Sequence, residues 1–184
     1  YVSAKLEIVG ERELPAKILT MQDAANATAY LSRNAVEHFD AIVTDKNGKP
    51  LAVIGSFKGA ATQTSVYPST IVQELAKIKG AANVWASHNH PSGKAQLSAA
   101  DRNLSGVMRE LLQGSGVSYH GLMAVADGTY EADSYDSGAI EQYAGKTVKA
   151  PIVERVTEGR PLYDMTVSSP NMAKSIVPQI AKDQ

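Results

Sequence analysis

Apolar and polar positions along this chain switch between two periods, and the switches mark its elements. Residues 1–19 carry two short alternating pieces, KLEIV and AKIL, separated by the polar ERELP, which predict one or two short strands or an arm. Thr20-Met21-Gln22-Asp23 then has the form of a capping box, with Thr20 as N-cap and Asp23 three residues on. It opens an Ala-rich helix running to about Leu31, whose core face uses Ala24, Ala27 and Leu31 with the methyl of Thr28. Phe39, Ala41 and Val43 alternate as one face of a strand, and Asp45-Lys46-Asn47-Gly48 predicts a hairpin turn into a return strand from about Leu51 to Phe57. A third strand, TQTSV, runs up to Tyr67-Pro68-Ser69, where Pro68 blocks continuation and Ser69 is a candidate cap. Ile71, Leu75 and Ile78 fall at i, i+4 and i+7, so the spacing predicts a one-faced helix over 70–79, ended by Gly80.

The run NVWAS predicts a buried strand that ends in two histidines one residue apart, His88 and His90. After the loop PSGKAQL, Ser98-Ala99-Ala100-Asp101 is a second capping box. The helix it opens sets Leu104, Val107, Met108, Leu111 and Leu112 on one face and is stopped by Gly114 and Gly116. VSYHGLMAVAD predicts a further strand, turning at Asp127-Gly128 into a short partner around TYEADSY. From Gly138 the pattern changes. Residues 138–184 hold a β-like piece (TVKAPIVERV), a turn at 158–161 and a helix candidate capped by Ser169-Pro170, with Met172, Ile176 and Ile180 as its apolar positions and Pro178 interrupting it. This tail predicts an accessory element docked on the core or the edge of a neighbouring region.

Composition changes this picture in three ways. With 184 residues and 43% apolar content a true core is expected, but at 6% aromatic it must be filled by Ala, Val, Ile and Leu. The net charge is -1, with no Lys/Arg block longer than two, so the basic stripe that duplex binding needs is missing. There is no cysteine, which removes disulfides, thiolate catalysis, Cys-based zinc sites and the Cys-ligated deaminase centre. Any imidazole-bound metal must therefore use His38, His88, His90 or His120. No apolar run approaches the ~20 residues of a membrane span, and no membrane partner is expected. No signal-peptide pattern is seen, and a soluble, cytoplasmic setting is expected. The chain begins at Tyr1 without methionine and reads as a piece of something longer.

The stretch SHNHPSGKAQLSAAD, Ser87 to Asp101, carries the chemistry. Side chains alternate along a strand, so an H-x-H pair at its end sends both imidazoles to one side. A carboxylate brought in by the following helix completes a set of two nitrogens and one oxygen. That set suits zinc with one position left open for water, the catalytic type of site. His88, His90 and Asp101 are thus candidate metal ligands, although Ser98 and Asp101 would also serve merely to start a helix. Other homes for H-x-H fit worse. The metallo-β-lactamase pattern wants an Asp and a further His where this chain has Pro91-Ser92, and an amidohydrolase barrel needs ~250 residues. A hydrolytic zinc site also needs a base, for which the residues leave Glu37, Glu11, Glu13, Asp40 and Glu74 open. His38 is expected at the surface or in packing, His120 as a satisfied histidine, and Trp85 and Met108 in the core.

An upstream Glu, then H-x-H, seven residues, Ser, two residues and Asp resembles the signature of the JAMM (MPN+) metalloproteases. The finer texture is similar to the RadC-like branch of that family: EHF before a strand and an Asn-Gly turn, Tyr67-Pro68 before a helix, then HNHPSG. The resemblance covers roughly residues 20–137. There are two departures: Tyr119-His120 stands where that branch has Asp-His, and residues 138–184 lie outside the pattern. It implies an α/β fold with a JAMM/cytidine-deaminase-like core, a mixed β-sheet flanked by helices, after an N-terminal strand or arm (1–19) and before a small C-terminal extension (138–184). The implied activity is a zinc metallopeptidase, peptidase or isopeptidase, with Zn2+ on His88, His90, Asp101 and a water. Glu37 becomes the base and proton carrier, and Ser98 the donor to the oxyanion. The implied partner is a peptide or protein, a ubiquitin-like conjugate among them, pairing as an added strand at a sheet edge. The RadC-like branch also carries a DNA-repair association and occurs in phage and plasmid proteins. A nucleic-acid role is therefore the alternative, against which the charge balance speaks.

Overall fold

Strand β2 (Phe39–Thr44) shows why the sheet is central. Phe39, Ala41 and Val43 are buried as their alternation predicts, but so are Asp40, Ile42 and Thr44 between them. A strand buried on both faces needs a layer on each side, and the computed structural model supplies both. It describes residues 4–55, 68–133, 135–139 and 146–157.

Among these residues, eight strands form one mixed sheet. They are β1 (Ala4–Pro15), β2, β3 (Pro50–Ile54), β4 (Asn83–Asn89), β5 (Ser118–Ala126), β6 (Thr129–Ala132), β7 (Tyr135–Ala139) and β8 (Thr147–Thr157), in the order β1-β8-β3-β2-β4-β5-β6-β7. Pairing is antiparallel except for β4 with β5 and β3 with β8. Parallel neighbours need a crossover, and α3 (Ala99–Leu112) provides it between β4 and β5. Helix α1 (Met21–Thr28) covers one face over a core of Leu14, Ile18, Leu31, Ile42, Trp85 and Met123. Helices α2 (Pro68–Leu75) and α3 cover the other over Phe39, Val43, Ile71, Val84, Met108 and Leu122. The α/β architecture expected from the sequence, a mixed sheet flanked by helices, is the one observed.

Local rules set most element ends. Both capping boxes form: Thr20 Oγ1 accepts from Asp23 N, and the Asp23 carboxylate accepts from Thr20 N. Helix α1 stops earlier than its apolar spacing predicts, and Ala29–Arg33 continue as a 3-10 turn that still buries Leu31. Thr28 closes α1 by donating its hydroxyl to Ala24 O at 2.9 Å, which satisfies a fully buried polar group. In the β2–β3 turn, Asp45 Oδ1 accepts from Asn47 N and Lys49 N. Gly48 has φ +79°, and a Cβ there would stand 2.7 Å from Ile18 O. Only glycine meets both demands.

Helix α2 takes Pro68 into its first turn, where the missing N–H costs nothing, so Ser69 lies inside the helix rather than capping it. It ends at Leu75, short of the predicted 79, because Lys77 and Ile78 bond back three residues and tighten the chain. The TQTSV strand, Phe57, the turn at 158–161 and the helix candidate after Ser169 lie outside the described residues.

The two ends of the chain meet in the sheet. β1 pairs antiparallel with β8 from Ala4↔Thr157 to Pro15↔Thr147, and β8 joins β3 through Val53↔Ile152 and Ile54↔Val153. The piece read as an N-terminal strand or arm and the β-like piece of the tail are therefore neighbouring strands of one sheet.

Candidate metal centre

β4 is buried from Val84 to Asn89, and its pleat sends alternate side chains to the two faces. His88, opposite Phe39 on β2, faces the α3 layer and is 2% exposed. His90 lies just past the strand end and is half-buried. The turn that follows, closed by Gly93 N donating to His90 O at 2.9 Å with Gly93 at φ +70°, takes the chain away towards α3.

His88 Nδ1 lies 3.1 Å from the carbonyl of Met123 on β5. A carbonyl only accepts, so Nδ1 carries the proton and Nε2 presents its lone pair. That Nε2 is 2.9 Å from His90 Nε2 and 3.3 Å from Asp101 Oδ1, while His90 Nε2 is 3.4 Å from Asp101 Oδ2. Glu37 joins them: one ligand atom from each of Glu37, His88, His90 and Asp101 lies within 4.8 Å of the others.

Asp101 gets there because α3 starts there. Its Oδ2 accepts from Ser98 N and from Ser98 Oγ, both at 2.7 Å, and its own N donates to Ser98 Oγ at 3.1 Å. Burial pushes the Asp101 carboxyl up. A His88 ring protonated on both nitrogens, through its hydrogen bond and charge, with the two bonds from Ser98, outweighs it and holds the carboxyl below the ordinary carboxylate range. With His88 neutral, the two Ser98 bonds alone favour the anion. Asp101 is thus an anion at neutral pH, the form a metal needs. The set passes a geometric test for zinc as well. Ligand bonds of ~2.0–2.1 Å in a tetrahedron put ligand atoms about 3.3–3.4 Å apart. The two histidine–carboxylate separations, 3.3 and 3.4 Å to the two oxygens of Asp101, fall there, while the histidine nitrogens, at 2.9 Å, stand closer.

The cluster selects among the five carboxylates left open by the sequence, for only Glu37 lies in it. Glu11 pairs with Lys149 at 3.5 Å, and Glu13 is exposed. Glu74 is buried on α2, 3.1 Å from Lys77 Nζ. Asp40 faces the α1 layer, bonded by Tyr30 and 3.8 Å from Arg12. Ser98 stands at the N-cap with its hydroxyl proton on Asp101. His120 is outside the cluster: it stacks on Trp85 with ring centroids 3.8 Å apart, and its Nε2 is 2.9 Å from Asn83 Oδ1. Trp85 and Met108 are core, as expected.

One residue of the motif escaped the sequence reading. Asn89, 1% exposed between the two histidines, bonds through its carboxamide to the backbone of residues 34–38, the segment that carries Glu37. Its sequence signal is an amide on a buried strand, which must find partners wherever the chain passes.

Fold and cluster together define an α/β protein with two histidines and two carboxylates placed to hold a metal ion at one end of a central strand. Residues 18–136, more than half of the chain, match the RadC-like JAB domain, and the chain belongs to that family. It is similar to a UPF0758 protein of Aromatoleum aromaticum, 39% identical over 77 residues, which are 42% of this chain and 34% of that protein. A UPF0758 protein of Shewanella pealeana is 36% identical over 97 residues, 53% of this chain and 43% of the relative. One of Verminephrobacter eiseniae is 33% identical over 120 residues, 59% and 50% respectively. The matches span half or less of these relatives' own length. Among the described residues, no helix is long and apolar enough to cross a membrane.

Proposed function

We propose that this chain is a zinc-dependent metallopeptidase that hydrolyses a peptide or isopeptide bond. The observation that carries the reading is the convergence of one ligand atom each from Glu37, His88, His90 and Asp101 within 4.8 Å. His88, His90 and Asp101 would hold the ion. When bound, zinc supplies a Lewis acid for the scissile carbonyl and lowers the pKa of a coordinated water to about 7.

The protein's own groups do the rest. Met123 O holds the His88 ring in the tautomer that offers Nε2. Glu37 accepts a proton from the attacking water and returns one to the leaving nitrogen, a role worth ~10²–10⁴ in rate. Ser98 donates to the oxyanion once its O–H turns away from Asp101 Oδ2, a contact typically worth ~3 kcal/mol. β4 is bonded on both sides, by β2 and β5. A substrate strand therefore cannot pair with β4 itself, and we place its scissile carbonyl over the cluster at the end of that strand. The substrate class is a peptide or a protein, including a ubiquitin-like conjugate.

The test is metal content and hydrolysis together. Wild type is expected to bind about one zinc per chain and to cleave a peptide or isopeptide substrate, and Glu37→Gln to keep the zinc and lose cleavage. A folded wild type with no zinc at saturating metal overturns the reading.

A further inference from the structure

Asn89 stands between the two candidate ligand histidines, and the strand pleat turns its side chain to the opposite face. Its Oδ1 accepts from His38 N at 2.9 Å. Its Nδ2 donates to Asn34 O and to Val36 O, each at 3.1 Å. The backbone adds a fourth bond, from Asn89 N to His38 O at 3.3 Å. Both amide protons of the side chain are thus spent on residues 34–38. That segment belongs to no helix or strand, since the 3-10 turn ends at Arg33 and β2 begins at Phe39. It carries Glu37.

We propose that Asn89 is a positioning residue: it ties the backbone of residues 34–38 to the strand that carries His88 and His90 and so holds Glu37 against the metal site. The inference rests on the reading of Glu37 as the proton carrier. Other side chains fail for stated reasons. Aspartate has the same shape but no donor, and sets an oxygen against two carbonyls. Alanine removes the partner of one N–H and two carbonyls, and with it the side-chain tie between residues 34–38 and the buried strand. Glutamine is one methylene too long, and a displacement of about 1 Å at a reacting group costs ~10²-fold in rate.

The test compares the zinc-loaded full chain as wild type, Asn89→Ala, Asn89→Asp, Glu37→Gln and the double variant Asn89→Ala/Glu37→Gln. Amide hydrogen exchange over 34–38, zinc stoichiometry, and kcat and KM on a peptide substrate are read together. In both Asn89 variants exchange over 34–38 is expected to rise roughly 10-fold or more, while β4 and α3 stay protected and zinc stays bound. kcat is expected to fall about 100-fold with KM nearly unchanged, and the double variant to be no slower than Glu37→Gln alone. Unchanged exchange over 34–38 overturns the proposal, as does a loss that multiplies with that of Glu37→Gln. If Asn89→Ala does not fold, Asn89→Asp carries the comparison; failure of both, with 34–38 and β4 exchanging as one unit in wild type, reduces Asn89 to a plain structural role and also overturns it. A wild type that binds zinc but cleaves nothing refutes the function proposed above, and the exchange data still decide whether Asn89 holds the segment.

Discussion

His88 and Met123 are joined across the β4–β5 ladder, ring Nδ1 to carbonyl oxygen at 3.1 Å, although the two residues are 35 apart in the chain. The bond sets the tautomer of a buried imidazole and aims its Nε2 at His90 and Asp101. Metal binding by His88 depends on that orientation. His88→Ala is expected to lower bound zinc from about one per chain to near zero. Asp101→Asn should weaken zinc binding at least ~10-fold while the helix start survives, because an amide oxygen still accepts from Ser98 N. Equilibrium dialysis with circular dichroism on the same samples checks both expectations.

Ser98 has two duties that substitution separates. As N-cap of α3, its loss to alanine should cost about 1 kcal/mol, but its loss to glycine only a few tenths. As oxyanion donor, its hydroxyl is missing from both variants, so both should lose ~10²–10³ in kcat. Thermal unfolding beside steady-state kinetics reads the two effects apart. Full activity in Ser98→Gly would leave the hydroxyl with its capping duty alone.

On the far face of the sheet, the Arg12 guanidinium lies 3.6 Å over the Tyr30 ring and 3.8 Å from the buried Asp40 carboxylate, to which Tyr30 also bonds. Arg12→Ala removes the guanidinium 3.8 Å from that buried carboxylate and its stacking on Tyr30. We expect a loss of about 2–4 kcal/mol, seen as a lower denaturation midpoint at unchanged zinc content. Asp40→Asn, which removes the charge together with its need for a partner, should cost less than Arg12→Ala.

The protein should lose stability at alkaline pH through its tyrosines. Burial, and then Asp40, push the Tyr30 hydroxyl far above its ordinary value. Burial does the same for Tyr119, which bonds Ser105 at 2.9 Å. A folded-state pKa above the unfolded value of 10.0 means that the folded form holds its proton longer. The contribution is whole below pH ~10 and falls as pH rises above it. Urea midpoints between pH 8 and 11 should decline at the top of that range, and Tyr30→Phe should flatten the decline.

At the acid end, His120 carries the opposite sign. Burial against Trp85 lowers its pKa below 6.5, so the unfolded chain takes up the proton first. Stability from this group is present above pH ~6.5 and is lost as pH falls below it. His120→Phe keeps a ring on Trp85 and should weaken the acid dependence between pH 5 and 7, as measured by urea midpoints.

The short-range features of this fold were legible in the residues. Both capping boxes, the Asp45–Gly48 turn, the buried strand NVWAS and the helix from Ser98 follow from contacts within four or five positions, which neighbouring residue types largely settle. The same is true of the H-x-H pair, because a pleat alternates whatever surrounds it. Short-range rules failed where distant segments intervene. They do not show that β2 is covered on both faces.

The sequence therefore specified which groups are available: two imidazoles on one side of a strand, and a carboxylate and a hydroxyl at one helix start. Their meeting with Glu37 depends on bonds between segments more than 50 residues apart, Asn89 to His38 and to Val36 among them. The same holds for the sheet's edge, where β1 finds β8 across nearly the whole chain. Such pairings depend on which buried donors and acceptors remain open after the local structure has formed. Burial selects among them, because in a dry interior an unpaired amide or carbonyl costs about 1–3 kcal/mol, and burial exists only once the layers have packed.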